Sequence, residues 1–204
     1  MDSNSVLIGE NKGGWIYAGQ RPRHEVKCPM FFIMESVLSD EQLSEILNSQ
    51  DSSNDSKSWS QEKLDYVIKN LTEKLDFDDD LLDSKQDWEI RCPSHGEWFL
   101  ASQENQIITK VKSRELLADG TSSSYRGAMM DGRPRKFEGF GPMQSHKAII
   151  EIHPSKIDIT ALSSIPMDRE SKGISIRFVI SPIRTGDIVR VPPNADFFSN
   201  LRVE

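Results

Sequence analysis

DWEIRCPSHGEWFLASQENQIITKVK (87–112) decides how the chain is read. Its apolar residues fall into short runs rich in aromatic and β-branched side chains, each bounded by polar residues or Pro, which is how strands are marked in a sequence. Read this way, DWEIRC (87–92), EWFLA (97–101) and NQIITKVK (105–112) are three successive strands. The same signal recurs at HKAIIEIH (146–153), KIDITAL (156–162), ISIRFVIS (174–181) and GDIVRVP (186–192). Within 174–181, Ile174, Ile176, Phe178 and Ile180 alternate with Ser175, Arg177 and Val179, so the two sets point to opposite faces. SPIRTGD, with Gly186 near its turn, predicts a hairpin joining the last two strands.

Upstream the pattern differs. Ser39 followed three residues later by Gln42 is a capping box, and Leu43, Ile46 and Leu47 continue as an apolar stripe. Ser60 caps a second helix with Leu64, Val67, Ile68, Leu71 and Leu75 on one face. GGWIYAG (13–19) and HEVKCPMFFIME (24–35) read as strands, with Pro29 marking an edge or bulge. Residues 1–12 are polar and read as a flexible N-terminus, and 48–59 as a polar surface loop. The predicted fold is α+β within one domain spanning 1–204. It has two N-terminal helices, over about 39–50 and 60–75, and a mostly antiparallel sheet or barrel formed largely by residues 87–192.

At 204 residues the chain can bury a core without staples, and its two cysteines do not make a disulfide framework. It has no leader-like start and no apolar run of membrane-spanning length, which predicts a soluble protein, cytoplasmic or otherwise intracellular, with no membrane partner. The net charge of −7 is uneven. Residues 1–100 hold 10 Lys+Arg and 20 Asp+Glu, residues 101–204 hold 15 and 12, and this split could drive head-to-tail association.

The most unusual stretch is YRGAMMDGRPRKFEGFGPM (125–143), inside a long basic, Gly-rich loop region over 117–145. Arg126, Arg133, Arg135 and Lys136 supply charge, and glycines allow close backbone approach. Tyr125, Phe137 and Phe140 supply surfaces for stacking or anchorage. This composition suits an acidic protein surface, another copy of the chain, or single-stranded nucleic acid. The plainer alternative is a solvated loop whose Phe residues plug into the core, or one clamped by the acidic stretch 76–89.

Other candidates are sparser. His24 and Cys28, with Cys92 and His95, offer the two nitrogen and two sulfur ligands of a closed zinc site if their segments meet; otherwise they are buried thiols and surface imidazoles. Asp76, Asp78 and Asp80 start like a calcium loop, but Leu81 stands where Gly makes the turn and Asp87 where a longer Glu closes it, so an acidic loop is the better reading. Cys28 or Cys92 could act as nucleophile with His146 or His153 as base and Asp158 or Asp168 to orient it. SSSYRG (122–127) with MDRE (167–170) resembles ADP-ribosyltransferases. That resemblance rests on isolated residues and implies that Arg126 and Glu170 flank a nicotinamide cofactor; the Ser-Thr-Ser element and paired glutamates of that family are not legible. Phosphate-loop, dinucleotide, HExxH and GxSxG signatures are missing. The residues therefore favour a non-enzymatic binding or assembly protein without a cofactor that works through the 125–143 loop. An ADP-ribosyltransferase-like transferase or a cysteine hydrolase is the alternative.

Overall fold

The helix starts follow their caps. Ser39 Oγ accepts the Gln42 N–H at 3.2 Å while Gln42 Oε1 accepts the Ser39 N–H at 2.9 Å, and α1 runs Asp40–Leu47. Ser60 Oγ accepts the Lys63 N–H, and α2 runs Gln61–Lys74 with Leu64 and Val67 buried. The computed structural model describes residues 4–10, 21–47, 58–74, 87–110, 112–122, 124–137, 141–152 and 160–195. The predicted strand at 13–19, most of the 48–59 loop, the acidic run 76–86 and residues 153–159 lie outside them.

The strands are β1 Asn4–Ile8, β2 His24–Cys28, β3 Phe32–Ile33, β4 Ser58–Trp59, β5 Trp88–Arg91, β6 Arg114–Gly120, β7 His146–Ile152, β8 Thr160–Pro166, β9 Ser171–Lys172 and β10 Val179–Pro182. Among the described residues they form four antiparallel sheets, β1-β2, β3-β10-β5, β4-β9 and β6-β7-β8, rather than one continuous sheet or barrel. β7 divides the interior. Ala148, Ile150 and Ile152 join a core with β1, β2 and a third helix, whereas Ile149 joins a core with α1 and α2. With both faces covered, Ile149 and Ile150 are both fully buried.

The third helix corrects the reading of EWFLA as a strand. Residues His95–Gln103 form α3, started by Ser94, whose Oγ accepts the Glu97 N–H while Glu97 Oε2 accepts the Ser94 N–H at 2.7 Å. His95, Gly96, Glu97, Trp98, Leu100 and Ala101 are all buried, so this helix has no polar face and shows no 3.6-residue stripe. Its first turn lies hard against β2: a Cβ at Gly96 would come 2.8 Å from Val26 Cγ1.

Other expectations change for related reasons. Asn4–Ile8, within the stretch read as flexible, forms β1 because Val6 and Ile8 are buried against β2. Among its described residues NQIITKVK makes no ladder. Asn105, at φ 55°, ends α3, and Ile108 is tied by single bonds to Glu35 and Arg177. Residues 114–120, partly assigned to the loop, form β6, whose three successive buried residues Glu115, Leu116 and Leu117 hide the alternation. The SPIRTGD hairpin is absent, because β10 is the middle strand between β3 and β5. Residues 189–191 pair instead with the 127–130 segment through Met130 N–H to Val189 O, Gly127 N–H to Val191 O and Val191 N–H to Ala128 O.

Arg177 and Val179, expected on the face opposite the apolar set, are buried too. Arg177 Nε and Nη2 donate to the two Glu115 carboxylate oxygens at 3.0 and 3.2 Å, and its remaining N–H groups reach the carbonyls of Met34, Glu35 and Ile108. Trp98 Nε1 donates to the same carboxylate at 2.8 Å. Removing either charge alone leaves the other buried and unanswered, so Arg177→Met and Glu115→Leu are each expected to lose about 3–5 kcal/mol in urea unfolding. The double variant is expected to lose less than the sum, a coupling that a double-mutant cycle reads directly.

Candidate functional site

Within the 125–143 stretch, residues 125–135 are pinned to their own chain. Lys27 N–H donates to Met130 O on one side, and residues 189–191 hold the other. Arg126 donates to Ala195 O at 3.2 and 3.1 Å. Arg133 pairs with the Asp131 carboxylate and reaches the carbonyls of Gly186 and Asp187. Arg135 donates to Ser124 O at 2.9 Å, and its carbonyl accepts the Gly120 N–H at 2.6 Å. Phe137 is half-buried beside Gly120, where an added Cβ would lie 2.6 Å from the Phe137 nitrogen. Lys136 is exposed, and Phe140 lies outside the described residues.

This pinned segment walls a cavity of about 220 Å3 between β2, the start of α3, the end of β6 and β8. His24, on β2, is buried, and its Nδ1 lies 3.0 Å from Pro22 O. A carbonyl only accepts, so Nδ1 carries the hydrogen and Nε2 keeps its lone pair. His95, the first residue of α3, stacks edge-on against Phe99, and its Nδ1 lies 2.9 Å from Tyr125 Oη. Tyr125 is buried and meets the His24 ring edge-on at 5.0 Å between centroids. Asp119 sits where the β6–β7 register shifts; its Oδ2 accepts the His95 N–H at 2.8 Å and its Oδ1 the Arg135 N–H at 2.9 Å. One carboxylate thus fastens the N-terminus of α3 to the loop, where the helix dipole favours negative charge. Ser122, Ser124, Ser163 and Ser164 add hydroxyl groups to the lining.

Desolvation pushes these groups toward their uncharged forms. Burial lowers the His95 pKa to about 3, with His24 as a like-charge contributor. Burial also lowers His24, against its bond to the Pro22 carbonyl. It raises Tyr125 well above the usual phenol, with Asp119 adding to the rise. It raises Asp119 against the two backbone N–H bonds that oppose the shift.

Of the residues singled out from the sequence, Tyr125, His24, His95, Arg133 and Arg135 line this cavity. The cysteines go elsewhere. Cys28 Sγ packs beside Gly96 and Gly132, Cys92 lies in the core under α1 and α2, and both are free thiols. Among the described residues no group of three or more His, Cys, Asp or Glu is placed to hold a metal ion. Burial raises both thiols, Cys92 to about 12, the reverse of what a nucleophile needs. His146 Nδ1 stands 3.5 Å from Ser164 Oγ, whereas His153 and Asp158 lie outside the described residues. Asp168 and Glu170 are exposed in the turn before β9, while Arg126 is held at Ala195. Asp119, Ser163 and Ser164 carry no site signal in the sequence, and Ser122 and Ser124 enter it only within SSSYRG, because the lining is brought together from β6, the loop and β8.

No known family's sequence model matches the chain, and no curated protein matches it significantly. Among solved structures, PvdO from Pseudomonas aeruginosa is similar with a TM-score of 0.62 at 11% identity, covering 89% of this chain and 92% of that one. Treponema denticola variable protein 1 gives a TM-score of 0.47 at 12% identity over 89% and 94% of the two chains. At 11% identity the likeness to PvdO is one of fold.

The lowered histidines make stability depend on pH with a definite sign. Between the ordinary imidazole value and about 3, the unfolded chain takes up a proton that buried His95 refuses, so its contribution is complete above about pH 6.5 and falls as pH drops. His24 acts in the same direction, and Asp119, raised in the fold, opposes it at the acid end. His95→Gln is expected to flatten the slope of unfolding free energy between about pH 6 and 5 by up to about 1.4 kcal/mol per pH unit. Urea titrations at a series of pH values measure that slope.

Proposed function

We propose that the chain is a binding protein rather than a catalyst, and that its cavity takes a small, uncharged ligand rich in hydrogen-bonding groups, such as a polyol or an amide. The observation that carries this reading is the cavity floor. His24, His95, Tyr125 and Asp119 are all displaced toward neutrality, and Ser122, Ser124, Ser163 and Ser164 line the same space, Ser122 and Ser163 with their hydroxyls already donating to Ser124 O and Glu151. A neutral imidazole donates at one nitrogen and accepts at the other, and each hydroxyl does both. Such a lining matches groups that are donor and acceptor at once, and gives a full charge little to pair with. Arg133 and Arg135 also line the cavity, but Arg133 is engaged by Asp131 and Arg135 by the Ser124 carbonyl.

In this reading the 125–143 loop is the cavity's wall as well as a contact surface. The enzymatic alternatives draw less support. The thiols are held protonated, and Arg126 is occupied at a carbonyl away from the turn that carries Glu170. An intracellular setting, which keeps thiols reduced, agrees with two free cysteines. No described helix is long and apolar enough to cross a membrane.

A thermal-shift screen tests the reading, setting neutral polyols, monosaccharides and small amides against carboxylates and phosphates. A neutral ligand at about 100 times its Kd adds about 2.7 kcal/mol, a rise of roughly 5–10 °C for a chain of this size. Tyr125→Phe is expected to reduce that rise, measured against the variant's own ligand-free melt. Stabilisation by anions alone would overturn the reading.

A further inference from the structure

A second concavity, separate in chemistry from the cavity, lies on the other side of the loop wall. It is a groove of about 740 Å3 between α2, β5, the 131–136 segment and residues 182–190. Leu117, Met129, Gly132 and Arg133 line both spaces. Its cations are Arg91, Arg133, Lys136, Lys147, Arg184 and Arg190, against two carboxylates, Asp65 and Glu89. Such a concentration stands out in a protein of net charge −7.

Two of the cations are answered by carboxylates, Arg91 by Glu97 and Glu89, and Arg133 by Asp131. Three others are not. Lys147 Nζ donates to Ala118 O at 3.0 Å and Arg184 to Asp131 O, while Lys136 is exposed. None of these three pairs with a carboxylate among the described residues. A carbonyl oxygen positions an ammonium or guanidinium without cancelling its charge, so the groove keeps a positive potential that its walls focus.

The groove also has an apolar side. Leu64 and Ile68 of α2 face it from one bank, and Ile183 and Ile188, 42% and 50% exposed, from the other. Among the described residues no aromatic side chain lines it. Single-stranded nucleic acid is held by bases stacking on aromatic rings, and the described lining offers none. Aliphatic banks with cations between them match a polypeptide in which acidic and aliphatic residues are interleaved.

We propose that this groove is the docking site for an acidic peptide segment of a partner protein. Its carboxylates meet Lys136, Lys147 and Arg184, and its aliphatic side chains cover Ile183 and Ile188. The site is independent of the ligand assigned to the cavity.

The test uses the full chain and a fluorescein-labelled peptide of about twelve residues that alternates pairs of glutamates with leucines, read by fluorescence anisotropy. The peptide is expected to bind, to bind more weakly as salt is raised from about 50 to about 200 mM, and to lose binding when glutamine replaces its glutamates. Lys136→Glu, at an exposed position, is expected to weaken binding severalfold, and Lys136→Glu with Arg184→Glu by about tenfold or more. Thermal melts establish that both variants fold; if the double variant does not, the single one decides. Absence of binding at about 1 mM protein, equal binding of the glutamine peptide, or no effect of Lys136→Glu would each overturn the proposal. So would a labelled oligothymidylate that binds more tightly than the peptide and is lost in the same variants.

Discussion

The Arg177–Glu115 pair gathers segments from distant parts of the chain at one buried ionic contact. Its guanidinium spends its N–H groups on one carboxylate and on the carbonyls of Met34, Glu35 and Ile108, reaching the end of β3, the stretch after α3 and the start of β6 at once. Burying two opposite charges costs several kcal/mol per ion, and the cost is offset only when nearly every donor and acceptor is satisfied. Arginine suits this because its planar fork aims its donors in fixed directions. Trp98 adds a further donor to the Glu115 carboxylate and so anchors α3 to the same point.

A second carboxylate repeats the device one strand away. Glu97 accepts two bonds from Arg91, one from Ser181 and one from the Ser94 N–H, so a single side chain caps α3 and ties it to β5 and β10. With the first turns of α3 placed through Glu97 and Trp98, His95 is held at the helix start and Asp119 can reach its N–H from β6. The cavity therefore rests on buried ionic links rather than on the loop alone. The loop completes it as a wall whose opposite side faces the cationic groove.

Much of the architecture could be read in advance where local chemistry sufficed. The caps at Ser39 and Ser60 announce α1 and α2, Pro29 marks the break between β2 and β3, and the short apolar run within 146–152 gives β7. Ser94 and Glu97 hold the same capping-box spacing, but a helix whose first two turns are almost wholly buried shows no polar stripe, and the run EWFLA reads as a strand. The 174–181 alternation was real in sequence and misleading in space, because Arg177 on its polar side finds a buried partner 62 residues away. The candidate site was legible only in pieces. Tyr125, His24 and His95 stood out for other chemistry, while Asp119 and the serines had no local mark.

Taken by itself, the sequence determined what depends on neighbours along the chain: a mixed α+β composition, the starts of two helices, and a loop dense in arginine and glycine between strands. Tertiary structure decided what those features do. It turned three of the loop's arginines back onto carbonyls and onto Asp131, gathered two histidines and a tyrosine from three elements into one desolvated floor, and sent the cysteines into two different cores. The reason is physical. Propensity and capping act over a few residues, whereas desolvation and the pairing of buried charge depend on which distant groups share a volume from which water is excluded.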